Sequence, residues 1–357
     1  MKRLALPIAA LLLSHCSTDL PPSGETQAAL NPANDYGGAT GEASYGDIAR
    51  FMAGRPVRAG ADLSAFQKNS GDYHTHALEL DYIWRKMGSK RSLRQAQYFH
   101  DDLRPLLGSP STVVYPFGGP DILYASSIFP RASTYVLIGL EPVGSVPDVS
   151  SSNPLPFLSR ISTVMEEPIR HGYYITAEMR NAPSVTPIMM TSIALMGGEV
   201  RNVQAISAGG RSGVQIDFSS PYGGNKKVIY VSADLSNSGF GAIRGWLDGY
   251  SGATGYFKAA SYLPHDGSFS GIRDWMLGNC RAILQDDSGI PYRYYDSNSW
   301  DVTLLGNYER PIPLFAKWKQ PDLAAAYDAA GPREEIPFGS GYHMKMRDAN
   351  FQVCKRK

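Results

Sequence analysis

Between Thr112 and Leu140 the chain alternates in a way that few folds can use. Thr112-Val113-Val114-Tyr115 is a short β-rich run, and Pro116-Phe117-Gly118-Gly119-Pro120-Asp121 is a turn. Ile122 to Phe129 has the length of a short helix, and Tyr135-Val136-Leu137-Ile138-Gly139-Leu140 is an apolar run of buried-strand type. Strand, turn, helix and strand in this order form the building block of a parallel sheet, with a right-handed crossover expected.

The flanks extend that unit. Residues 45–107 carry helical spacing, most clearly at Tyr73–Trp84 and Leu93–Leu107. Residues 155–196 read as mainly helical, broken by Pro168 and Pro183. Val200–Ile206, Gly213–Phe218 and Lys227–Ala233 read as successive strands, the last two joined as a hairpin through Ser220-Pro221-Tyr222-Gly223-Gly224-Asn225. Helix, strand and helix follow at 239–250, 254–260 and 269–278, then a strand at Arg281–Gln285. The expected architecture is a single large α/β domain, residues 46–357, with a mixed, partly parallel sheet flanked by helices. Its parts are a helical N-terminal layer (46–110), a sheet core (111–290) and an irregular wrap (291–357).

The first residues place the chain in a cell. Met1-Lys2-Arg3 is basic, Leu4–Leu13 is apolar, and Ser14-His15-Cys16 closes the run. This is the layout of an export signal over residues 1–15, too short to span a bilayer. A cysteine at that point suggests acylation of Cys16, although His15 departs from the small residue usual before it. Ser17 points to the outer membrane rather than the inner one. Residues 16–45 then read as the lipidated cysteine and a flexible tether, rich in Pro, Gly, Ser and Asn. An ordinary secretory signal cut nearby is the alternative.

Outside the cytoplasm nucleotide cofactors are scarce, so no cofactor is expected, and thiols meet an oxidising environment. With Cys16 acylated, Cys280 and Cys354 are an even pair, and a disulfide between them would tie down the C-terminus. Two separate buried thiols are the alternative. A net charge of +1 gives no global field to recruit nucleic acid. The 21 tyrosines suit either core filling or a glycan-binding wall, and the core is the simpler account.

Several local constellations are candidates for chemistry. Gly118 and Gly119, with Asp121 opening the helix and Glu141 following the next strand, resemble a phosphate turn and a ribose-binding acid. The turn lacks the full Gly-x-Gly-x-x-Gly spacing, and Pro120 removes one N–H. A tight turn capped by Asp121 is the plainer account. Gln285-Asp286-Asp287-Ser288-Gly289 places two carboxylates after a strand, where they would bind a cation or act as acid and base; Asp266 would approach the same edge. The plainer account there is again turn chemistry. Lys258, Ser261 and His265 lie close in sequence, but no Gly-x-Ser-x-Gly elbow supports a serine nucleophile. His74 and His76 point to different sides of a helix, and no metal site is expected.

The runs Tyr115–Asp121, Gly139–Gly144, Lys258–Leu263 and Leu284–Pro291 are similar to those of a set of uncharacterised bacterial exported proteins. The resemblance covers most of the chain after the tether and implies no established activity, so it assigns no catalytic residue. The expected function is an exported lipoprotein that binds an envelope ligand or partner. The site would join Gly118, Gly119, Asp121 and Glu141 to the loops at Asp266 and Asp286–Ser288. One alternative is a hydrolase of glycan or another envelope polymer using Asp286, Asp287 and Glu141. Another is a structural surface lipoprotein. The expected partners are the membrane, through the lipid, and an envelope ligand, with no nucleic acid.

Overall fold

A computed structural model describes residues 43–58, 63–149, 153–174 and 184–357. The signal 1–15, the acylation candidate Cys16, most of the tether and Pro183 lie outside the described residues.

The strands are β1 (Thr112–Pro116), β2 (Thr134–Gly139), β3 (Glu199–Ala208), β4 (Arg211–Ser219), β5 (Asn225–Ser232), β6 (Thr254–Phe257), β7 (Ala282–Gln285), β8 (Trp300–Gly306) and β9 (Asn350–Arg356). They make one sheet in the order β3-β4-β5-β2-β1-β6-β7-β9-β8. The five central strands, from β5 to β7, run parallel. At one edge β3, β4 and β5 form an antiparallel meander. At the other, β9 enters antiparallel between β7 and β8. The mixed, partly parallel α/β sheet expected from the sequence is the one observed.

Period-two alternation divides the central strands between two cores. Val113, Tyr115, Tyr135, Leu137, Val228 and Tyr230 face one side. Val114, Val136, Ile138, Ile229 and Val231 face the other. Burial on both faces explains why these strands read as continuous apolar runs. The first face is covered by helices α1 (Tyr45–Met52), α2 (Leu63–Asn69), α3 (Gly71–Ile83), α4 (Ser89–Tyr98), α5 (Arg104–Leu107), α6 (Ile122–Ile128), α7 (Leu155–His171) and α8 (Val185–Leu195). The second is covered by α9 (Gly241–Leu247) and α10 (Ser270–Asn279). A further helix, α11 (Pro321–Ala329), packs Leu323 and Tyr327 against Tyr308.

Most buried tyrosines serve these cores and find an acceptor for the hydroxyl. Tyr73 donates to Phe51 O, Tyr124 to Pro168 O and Tyr135 to Phe129 O, at 3.0, 2.7 and 2.8 Å. Such bonds remove the penalty of burying the O–H and fix where each ring sits.

The structure corrects three expectations. Pro168 does not break α7, which runs on to His171. It sits in the last turn, and its carbonyl stays useful, accepting from Gly172 N and from Tyr124. Residues 291–357 are not an irregular wrap, because they supply β8, α11 and β9. The polar exposed positions of β8 and the Pro and Gly around it hide two strands that pair mainly with each other. Finally, no Cys280–Cys354 bridge is formed: both are free, buried thiols. Cys280 lies at the end of α10 with Sγ 3.8 Å from Met276 Sδ, while Cys354 stands on β9 opposite Ile283.

Among the described residues no helix is long and apolar enough to cross a membrane.

Candidate functional site

Chain order reverses between β1 and β6: β2 and β5 lie on one side of β1, and β6 and β7 on the other. In an open parallel sheet the loops leaving the strand ends diverge at such a point and leave a crevice there. Two loops flank it, Phe117–Asp121 after β1 and Lys258–Tyr262 after β6.

Both loops carry backbone strain. Phe117, Ala259, Ser261 and Tyr262 have φ of 63°, 51°, 53° and 56°, in the left-handed region that residues with a Cβ avoid. Each such residue costs on the order of 1 kcal/mol and persists only where its surroundings fix it.

The surroundings are the residues after β7. Oδ2 of Asp286 accepts from Ala259 N at 2.9 Å, and Ser288 Oγ accepts from Ala260 N at 2.8 Å. Oδ1 of Asp286 accepts from Ser288 N at 2.9 Å and from the Ser288 hydroxyl. Asp287 accepts from the Tyr262 hydroxyl and from Asn350 Nδ2, the latter at 3.2 Å, with His343 Nε2 also at 3.2 Å. Tyr342 closes the far side: its hydroxyl donates to Ala259 O at 2.9 Å and accepts from Ser261 N at 3.1 Å. Ser261 Oγ lies 3.0 Å from the same hydroxyl.

Asp286 and Asp287 are each 1% exposed. Burial, with the neighbouring Asp287 second, pushes the Asp286 carboxyl up to about 6. Burial likewise holds the imidazole of His265 down to about 4. Burial also opposes protonation of His343, but the hydrogen bond and charge of Asp287 outweigh it and raise that pKa.

Across the crevice, Lys258 Nζ is buried 2.5 Å from Asp121 Oδ2 and 2.7 Å from Gly172 O. It also stands 4.2 Å from the centre of the Tyr124 ring. The Tyr115 hydroxyl bonds Asp121 and the Lys258 carbonyl, both at 3.2 Å. Asp121 further caps α6 through Tyr124 N. This network bolts one loop to the other.

Glu141 sits apart from the aspartates. It is half-buried beyond the end of β2, and its Oε2 and carbonyl accept from Tyr230 at 3.2 and 2.8 Å. It faces Gly119, where a Cβ would come within 3.5 Å of Oε2. Gly119 has a φ of +53°, so the turn needs glycine there for its backbone as well.

The residues singled out in the sequence therefore share one edge but divide in role. Asp121, Asp286, Asp287 and Ser288 are bound into the loop framework. Gly118, Gly119 and Glu141 form a separate corner. Asp266 caps a short turn, accepting from Ser268 N at 2.8 Å, and that bond lowers its pKa. His76 packs between helices, bonded to Ser162 and Met52, while among the described residues no group of three or more ligating side chains gathers around a metal position. Tyr262, Tyr342, His343 and Asn350 belong to the framework and carry no local motif. His343 arrives from the segment before β9 and Asn350 opens β9, which only the tertiary fold brings to β7.

No protein-family model, curated protein or solved structure matches the chain.

Proposed function

We propose that the protein is an exported, lipid-anchored binding protein of the cell envelope, whose ligand carries vicinal hydroxyls and docks beside Glu141 and the Gly118-Gly119 turn. The observation that carries this reading is the state of the carboxylates at the strand edge. Asp121, Asp286 and Asp287 are buried and fully engaged by donors, whereas Glu141 is half-buried and, among the described residues, its carboxylate accepts from Tyr230 alone. A carboxylate at the end of the second parallel strand, beside a glycine turn, suits a pair of neighbouring hydroxyls on a sugar or ribose. Loss of one such charge-assisted contact costs roughly 1.5–3 kcal/mol, or 10- to 100-fold in affinity.

Titration calorimetry with N-acetylglucosamine, maltose and adenosine tests the reading. Saturable binding of one probe, weakened at least about tenfold by Glu141→Gln, is the expected result. Binding unaffected by that change, or by none of the three probes, removes it. The paired-carboxylate hydrolase has less support, since Asp286 spends both oxygens on Ala259 and Ser288. Glycan hydrolysis abolished by Asp287→Asn would restore it. The intact mass of the mature protein from host membranes tests acylation of Cys16 separately.

A further inference from the structure

Two broad surface hollows lie away from the strand edge, along the helical layer. The first is bounded by Leu78, Tyr82, Lys86 and Lys90. The second, of about 800 Å³, shares Lys86 and Lys90 and continues past Arg94 to the segment Met344–Arg347. The hollows are therefore continuous, with the shared lysines at their junction. Seven cations and two carboxylates line them, in a chain whose net charge is +1.

Not all those cations are free. Arg91 is spent on Tyr124 and the carbonyls that end α7, and Arg85 pairs with Asp81. Arg347 stands 3.6 Å from Asp348. Lys86, Lys90, Arg94 and Lys345 are exposed, and none makes an ion pair with a carboxylate among the described residues. Lys86 Nζ stands over the face of Tyr82, 5.7 Å from the ring centre.

Apolar side chains stand among these charges. Leu78 is 69% exposed and Tyr82 61%, with Met344 and Met346 half-exposed beside Lys345. A solvated basic face gains nothing from uncovered leucine and methionine. A surface that is cationic and apolar together matches a boundary where phosphate lies next to acyl chain. The π turn at Trp84–Gly88 contributes to the layout. The Trp84 ring lies against Gly88, where no Cβ fits, and the extra residue in that turn sets the phase of Lys86 and Lys90 after Tyr82.

We propose that this face of the helical layer, from Leu78 to Arg94 with Met344–Arg347, docks on a bilayer surface bearing anionic phospholipid headgroups. The four free cations meet the phosphates, and Leu78, Tyr82, Met344 and Met346 enter the headgroup boundary. The face does not depend on the ligand reading at Glu141 or on acylation, because its argument is charge and exposed apolar surface alone.

The test uses the chain from Ser17 onward, so that neither an acyl group nor the apolar leader 1–15 contributes, and sedimentation with large vesicles. Vesicles of phosphatidylcholine with phosphatidylglycerol should bind it, and vesicles of phosphatidylcholine alone should not. Each lysine near an anionic surface contributes about 1 kcal/mol, so Lys86→Ala/Lys90→Ala/Lys345→Ala should weaken binding roughly 100-fold. Leu78→Ser should weaken it further at high salt, where charge is screened. An unchanged thermal melt confirms that these exposed substitutions leave the fold intact. Equal vesicle binding by the native and triple-substituted chains overturns the proposal. So does binding of a random-sequence oligonucleotide without vesicle binding, which assigns the face to nucleic acid.

Discussion

Lys258 Nζ lies 2.5 Å from Asp121 Oδ2 in a pocket where both side chains are 2% exposed. The pair joins the loop after β1 to the loop after β6 across the point where strand order reverses. Burial moves both groups toward their neutral forms, lowering the lysine pKa and raising that of the aspartate. Removing either partner leaves a buried, unbalanced group, which typically costs about 3–5 kcal/mol. Lys258→Met and Asp121→Asn should each destabilise the protein by that order in urea unfolding. The double variant should lose much less than the sum. Additive losses would show that the two groups are not energetically coupled.

Two buried groups give opposing pH dependences in one window. His265 titrates at about 4 in the fold against 6.5 unfolded. The unfolded chain binds the extra proton, so this stability, about 3 kcal/mol, is full above pH 6.5 and is lost as pH falls toward 4. Asp286 titrates at about 6 against 3.8. There the folded state binds the extra proton, so its contribution, also about 3 kcal/mol, is present below 3.8 and is lost as pH rises through 6. The native profile should therefore be shallow between pH 4 and 6. Asp286→Asn removes the falling limb, and its unfolding free energy should climb steeply across that range. A parallel, merely lowered profile would contradict the assignment.

Gly341 is a position where space decides sharply. Its φ is +56°, and a Cβ there would overlap Oδ2 of Asp286, the oxygen that holds Ala259. Gly341→Ala should cost about 3 kcal/mol through overpacking and backbone strain. Gly249→Ala, with open space around the new methyl, should change stability by less than about 0.5 kcal/mol. Matched denaturation curves decide it, and equal midpoints would contradict this account of the Asp286 pocket.

Both described thiols should be inert in the folded protein. Burial pushes the Cys280 thiol up to about 12, and burial also raises that of Cys354. Ellman's reagent should leave both unmodified in buffer and titrate both in guanidinium without reductant. Failure to titrate them after unfolding would establish the bridge instead.

The central strands were legible because burial on both faces leaves an unmistakable apolar run, as in Tyr135–Ile138. The turn at Gly118-Gly119 and the cap at Asp121 were legible because glycine and aspartate at those places serve local geometry. β8 and β9 were not, because their residues alternate or mix polarity and their main partner is each other. Asp286 and Asp287 could be found as a motif, but their role could not. A carboxylate in a turn and a carboxylate buttressing a strained loop are spelled the same way, and only the donors at Ala259, Tyr262 and Asn350 tell them apart.

What the sequence determined by itself is what depends on neighbours along the chain. That includes the βαβ unit at 112–140, the helical layer, the α/β class and the phase of the buried faces. Tertiary structure alone decided the strand order, the reversal between β1 and β6, and the pairing of Lys258 with Asp121 from 137 residues away. The reason is physical. Local periodicity fixes which face of an element is apolar, but the desolvation and hydrogen bonding that set each polar group's role come from segments distant in the chain.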